Sequence, residues 1–177
     1  SSPEWRVYQD EWRRVYFPDW RSGSDSTGSI DFALTPTKSR QDYLLFYYKK
    51  LLENGFDGIY WDNIAIYDNE NPLTGNGYRR SDGLWQTDTD IWELRELTKR
   101  TAIMFHQMGK PNFTMPHMTN ANLIPVFSWT TSSLDWEWKY GGTDFQDRFS
   151  REYTRAASLG LQSGNLPVVL PGITEVS

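Results

Sequence analysis

The chain has no cysteine, which excludes a disulfide scaffold and a thiolate metal site. It has only two histidines, and His106 and His117 are too far apart in sequence for a recognisable zinc signature. Apolar runs are short. The longest, such as Leu166–Leu170, are strand-sized and far below the length of a membrane span. Glycine and proline, 13 and 9 in 177 residues, are too few for a collagen-like or low-complexity chain. Positive charge is also scarce: the formal net charge is -5, which argues against broad binding to nucleic acid or anionic membranes. No glycine-rich phosphate loop, dinucleotide fingerprint or G-x-S-x-G elbow occurs. The run Asp68-Asn69-Glu70-Asn71 looks faintly like a calcium loop, but Pro72 takes the third ligand position and the spacing fails. No cofactor is expected.

Aromatic residues are abundant, with nine Trp, ten Tyr and nine Phe. Many must be core, because rings bury large areas. Flat apolar faces beside many Asp and Asn are also what a sugar-binding cleft needs. The length suits one domain. The chain begins Ser1-Ser2-Pro3 with no signal-peptide pattern, and residues 1–177 are expected to be a single partial domain excerpted from a longer protein. The rest of that parent polypeptide would then be its partner.

Apolar periodicity predicts helices over about Arg40–Asn54, Asp90–Met108 and Phe145–Gln162. Ser39, Thr87 or Thr89, and Thr143 or Asp144 are the candidate caps. Each helix is followed by a short connector and a strand-like run: Gly58–Asp62, Asn112–His117 and Leu166–Leu170. Further strands are expected at Ser133–Trp138 and Trp5–Glu11. Strand and helix alternate, which indicates a parallel sheet. Tight helix-to-strand turns contrast with long strand-to-helix connections at Trp12–Lys38 and Asn63–Thr89. Long loops at the C-terminal strand ends mark the active face of an α/β barrel. About five strands, against eight in a full barrel, suit the C-terminal part of a (β/α)8 TIM-type barrel.

In that architecture the residues at the strand ends line the site. They are Asp10 and Glu11, Asp62 and Asn63, His117 and Asn120, and Asp135 and Glu137. Paired carboxylates are the apparatus of glycoside hydrolysis: one protonates the leaving oxygen and the other attacks, activates water or stabilises charge. Asp135 and Glu137, two apart on a strand, are expected on one side with Cα atoms roughly 6.5–7 Å apart, with Trp136 and Trp138 on the other. Asp62 ends a strand and suits charge stabilisation or bonding to sugar hydroxyls. Tyr60, Asn63, Trp85, His117, Asn120 and Trp138 are candidate substrate-binding residues. For each acid the competing structural role is a loop cap or a solvated charge. For Trp85 and its loop neighbours it is the loop's own packing.

The stretches Gly55–Asn63, Gly77–Gly83, Arg95–Arg100, His117–Asn120, Leu134–Trp138 and Thr143–Phe149 together resemble bacterial proteins related to glycoside hydrolase family 123. The resemblance covers most of the chain from about Ser39 to Ile173. It implies a large secreted or periplasmic carbohydrate-active enzyme. Characterised members of that family act on β-linked N-acetylgalactosamine through the substrate's own acetamido group, held by an Asp with an adjacent Glu as acid/base. By similarity Asp10 would orient the acetamido group and Glu11 would protonate the leaving oxygen. The expectation is a glycoside hydrolase with its acid/base at Glu11 or Glu137, supported by Asp10, Asp62 or Asp135, on a glycan that contains N-acetylhexosamine. The alternatives are a carbohydrate-binding barrel without turnover, an interaction domain and a lyase.

Overall fold

The computed structural model describes residues 2–14, 34–64, 66–117, 119, 123–134, 137–138, 149–157, 164–168 and 170–171. Helix α1 spans Pro3–Trp12, where alternating residues suggest a strand. The start is a helix start: Ser2 Oγ accepts from the Trp5 amide, Pro3 takes the first helical position and Glu4 is in the first turn. Trp5, Tyr8 and Trp12 lie at helical spacing, with the rings of Tyr8 and Trp12 stacked 5.3 Å apart. Trp12 is buried and its Nε1 donates to Ser39 Oγ at 2.9 Å. A bridge between Arg13 and Leu34 then turns the chain toward helix α2.

Helix α2 spans Lys38–Glu53 and is capped by Thr37, not Ser39. Ser39 falls inside the first turn, where its hydroxyl donates to Glu11 Oε1 and ties α2 to α1. Leu44, Leu45, Tyr48 and Leu52 face the core, whereas Leu51 is exposed. Strand β1, Ile59–Trp61, follows. Gly58 sits so close to the next strand that an added Cβ would lie 2.5 Å from the Phe113 carbonyl oxygen, so only glycine permits this approach.

The connection after β1 is expected as a long loop but contains two nested antiparallel pairs. Strand β2 (Asp68–Asn69) pairs with β5 (Asp88–Thr89), and between them β3 (Tyr78–Arg79) pairs with β4 (Trp85–Gln86). Two-residue strands are too short to leave an alternation in the sequence. Helix α3, Ile91–Gln107, buries Leu94, Leu97, Thr98, Thr101, Met104 and Phe105. Strand β6 is Thr114–Pro116, and α4 is the short helix Ile124–Phe127. Strands β7 (Ser132–Ser133) and β8 (Glu137–Trp138) follow. Helix α5 is Arg151–Ala157, and β9 (Leu166–Pro167) and β10 (Leu170–Pro171) complete the order. Helix α5 starts later than expected because the Ser150 hydroxyl accepts from the Tyr153 amide. Ala156, expected on its buried side, is exposed. The expected helical residues 145–148 and 158–162 lie outside the described residues.

The pairings β1–β6, β7–β9 and β8–β10 are all parallel. A parallel bridge between His117 and Leu134, with the Leu134 amide donating to the Pro116 carbonyl at 3.0 Å, joins β6 to the segment that carries β7. β1, β6, β7 and β9 therefore lie side by side in chain order, and β8 and β10 form a parallel pair of their own. Ile59 and Trp61 face the helices and join one core with Leu52, Ile64, Leu94, Leu97, Phe105, Val126 and Phe127. Helix α3 packs there against both α2 and α4. Residues alternate faces along a strand, so Tyr60 and its partner Met115 face away from this core. Tyr60, Leu166, Val168 and Leu170 are exposed. No helix among the described residues is long and apolar enough to cross a membrane.

Candidate active site

Strand β1 ends on Asp62 and β6 ends on His117, and the ladder holds these ends level. The His117 amide donates to the Trp61 carbonyl at 2.8 Å, and the Ile64 amide donates to the His117 carbonyl at 3.0 Å. Between Asp62 and Ile64 the chain must turn. Asn63 makes the turn with φ 52°, the only positive φ among the described non-glycine residues, in the region where asparagine is enriched.

The ladder brings three sequence-selected residues together. His117 Nδ1 lies 2.9 Å from Asp62 Oδ1, and the Tyr60 hydroxyl bonds His117 Nδ1 as well. Tyr60 also donates to Asp62 Oδ1 at 3.3 Å. The His117 side chain is 5% exposed and the Asp62 side chain 59%. The imidazole is thus fixed in the structure while the carboxylate stands at its edge. Both bonds to Asp62 use its Oδ1, which leaves Oδ2 for a ligand or water. An oriented carboxylate with one oxygen open suits stabilisation of developing positive charge or a hydrogen bond from a sugar hydroxyl.

Asp62 and Asn63 form one wall of a cavity of about 320 Å³. Arg14, Arg40, Tyr48, Trp61 and Tyr67 form other parts of it. The Tyr48 hydroxyl accepts from Trp61 Nε1 at 2.9 Å, and burial pushes its pKa up so that it stays protonated. The Arg40 pKa is lowered to about 10, first by burial and then by the nearby Arg14 charge, against the pull of Tyr48, Asp90 and Tyr43. Arg40 still carries its charge at neutral pH.

Behind the cavity is a buried polar knot. Arg14 Nε donates to Asp90 Oδ2 at 2.8 Å. Asn69 Nδ2 and Asn76 Nδ2 donate to Asp90 Oδ1 at 2.7 and 3.1 Å. Asn71 Nδ2 donates to the Asp10 and Arg13 carbonyls, both at 2.7 Å. Asn69 and Asn71, from the calcium-like run, are thus completely buried braces. Asp90 occupies the cap position of α3 but makes no side-chain cap bond, since its oxygens serve the knot instead.

The other candidates fall elsewhere. Asp10 and Glu11 lie on α1, not at a strand end. Asp10 pairs with Arg13 at 2.7 Å, Glu11 accepts from Ser39, and neither lines the cavity. The strand placement that made them an acetamido-binding pair is therefore replaced by a helical one. Trp85 packs over Gly77, where an added Cβ would lie 3.0 Å from Trp85 Nε1, so its ring belongs to the small hairpin. In β8 the backbones of Glu137 and Trp138 pair with Leu170 and Pro171 of β10. Asp135 and Asn120 lie outside the described residues. Arg14, Arg40 and Tyr48 escaped sequence reasoning. For Arg40 the signal present was a cation in the first turn of a helix that has no acid there, contrary to the dipole. Among the described residues no three His, Cys, Asp or Glu side chains group to hold a metal ion. No profile of a known protein family, no curated protein and no solved structure matches this chain.

Proposed function

We propose that the chain is the C-terminal part of a (β/α)8-barrel glycoside hydrolase, with Asp62 as a carboxylate of the site, positioned by His117 and Tyr60. The observation that carries the reading is the Asp62–His117–Tyr60 cluster, which stands at the C-terminal ends of adjacent parallel strands and whose Asp62 borders a cavity. Strands in chain order, with helices on one face and exposed Tyr60, Leu166, Val168 and Leu170 elsewhere, suit part of a barrel, since parallel sheets are normally covered on both faces. The family resemblance supports the same class of reaction.

Asp62 would stabilise the positive charge that develops on the sugar ring, and Glu137 is the leading acid/base. Glu137 lies on β8, whose backbone pairs in parallel with β10. The general acid gives its proton to the leaving oxygen as the glycosidic bond breaks, and water supplies the hydroxyl of the new reducing end.

The test is aryl release from a panel of aryl β-glycosides, including the N-acetylgalactosaminide, by the full-length protein. Asp62→Asn should cut turnover by about 10²–10⁴-fold with the fold intact. Full activity in that variant overturns the assignment. Glycan binding that yields no product from any substrate would instead identify a carbohydrate-binding barrel.

A further inference from the structure

Arg40 presents an unusual charge balance. Its side chain is largely buried and lines the cavity beside Asp62. Its Nη1 donates to the Leu34 carbonyl at 2.8 Å, a neutral partner that takes one of five guanidinium donors. Among the described residues it has no carboxylate within ion-pair distance. Arg14 does: Asp90 neutralises it at 2.8 Å, and the Tyr67 ring lies 4.7 Å from its guanidinium carbon. The knot therefore pairs one of the two cations on this cavity directly and acts on the other only at a distance.

Two further features act in the same direction. Arg40 is in the first turn of α2, a 16-residue helix whose first turn contains no acidic residue of its own, although Glu11 of α1 reaches Ser39 there. The Tyr48 hydroxyl, held protonated by burial and accepting from Trp61, has its own hydrogen to donate. The acid on the same cavity is Asp62, whose Oδ1 is engaged by His117 and Tyr60 and whose side chain is mostly solvated. A buried cation with no counter-charge is costly, and the cost is relieved when a ligand supplies the anion.

We propose that this cavity binds the anionic substituent of an acidic sugar, a carboxylate or a sulfate, through Arg40 with Tyr48 as a second donor. A planar guanidinium fork matches either oxyanion. The inference rests on the glycosidase reading for the sugar but not for the anion. An acidic glycan would present its charged group to Arg40 while its glycosidic carbon lies toward Asp62.

Binding to the full chain should be measured by calorimetry with four probes: glucuronate, N-acetylglucosamine 6-sulfate, neutral N-acetylglucosamine and inorganic sulfate. At least one acidic sugar should bind about 10- to 100-fold more tightly than the neutral one, and the tighter of the two identifies the anion. Arg40→Gln should abolish that preference, and Arg40→Lys should keep part of it, which separates lost recognition from lost folding. Equal binding of neutral and acidic sugars, unchanged in Arg40→Gln, would overturn the anion site and leave the glycosidase reading standing. Saturable binding of sulfate alone that depends on Arg40 would support the anion site and count against a sugar ligand. No binding of any acidic probe to the native chain would overturn the proposal.

Discussion

Asp90 and Asp62 make nearly the same contact and do opposite things. Each holds a nitrogen of a basic side chain, at 2.8 and 2.9 Å. Asp90 is fully buried, and both its oxygens are occupied, by Arg14, Asn69 and Asn76. Asp62 is mostly solvated, bonds through Oδ1 and stands on a cavity. A carboxylate whose acceptor capacity is consumed by the fold has none left for a substrate. One that is oriented on one oxygen and open on the other can do chemistry. The difference arises from position: Asp90 starts a helix beneath the nested hairpins, whereas Asp62 ends a strand.

Removing the Asp90 charge should have the largest effect on stability. Asp90→Asn would leave Arg14 buried without its partner, at a cost of about 3–5 kcal/mol, readable by denaturant unfolding. A loss below about 1 kcal/mol would mean that the knot is no better satisfied than the site, and the contrast would collapse. Gly58→Ala comes next. Its Cβ would meet the Phe113 carbonyl oxygen at 2.5 Å, and overpacking of this kind costs about 1–3 kcal/mol. That strain falls where β1 joins β6, so it should also shift Asp62 relative to His117 and lower activity beyond the loss of folded protein. Asp62→Asn should change stability by less than about 1 kcal/mol, as expected for an exposed pair, while turnover collapses. A large stability loss there would make Asp62 another brace.

How much of this could be read in the sequence depends on the range of the forces. Helices α2 and α3 were legible because Leu44, Tyr48 and Leu52, or Leu94, Thr101 and Phe105, recur at helical spacing. Asp62 and His117 were legible because each closes a short apolar run after a tight turn. Helix α1 reads as a strand because Trp5, Val7 and Tyr8 imitate strand composition, although Ser2-Pro3-Glu4 carries the helix start. The knot and the Arg40 cavity were not legible: Arg14 meets Asp90 across 76 positions, and no local pattern records such a pairing. The expected placement of Asp10 and Glu11 at a strand end failed with the reading of α1 as a strand.

A third carboxylate gives the smallest effect and sharpens the scale. Asp42, on the exposed side of α2, receives a hydrogen bond from Arg100 and lies 3.4 Å from Lys38. The Arg100 hydrogen bond holds its carboxyl below the usual 3.8, against the opposing effect of burial and with help from the Arg100 charge and from Lys38. A lowered folded pKa means that the unfolded chain takes up the proton first as pH falls. The pair therefore stabilises fully above the ordinary carboxylate pKa and loses its contribution as pH drops through the lowered folded value. Half of the side chain is exposed, so solvent and salt screen the pair, and Asp42→Asn should cost less than about 1 kcal/mol at neutral pH. The native chain and the variant should converge in stability once the carboxyl is protonated in both states. A gap that persists into acid would show that Asp42 acts through shape and not charge, placing it with Asp90 and not at the solvated end of the series.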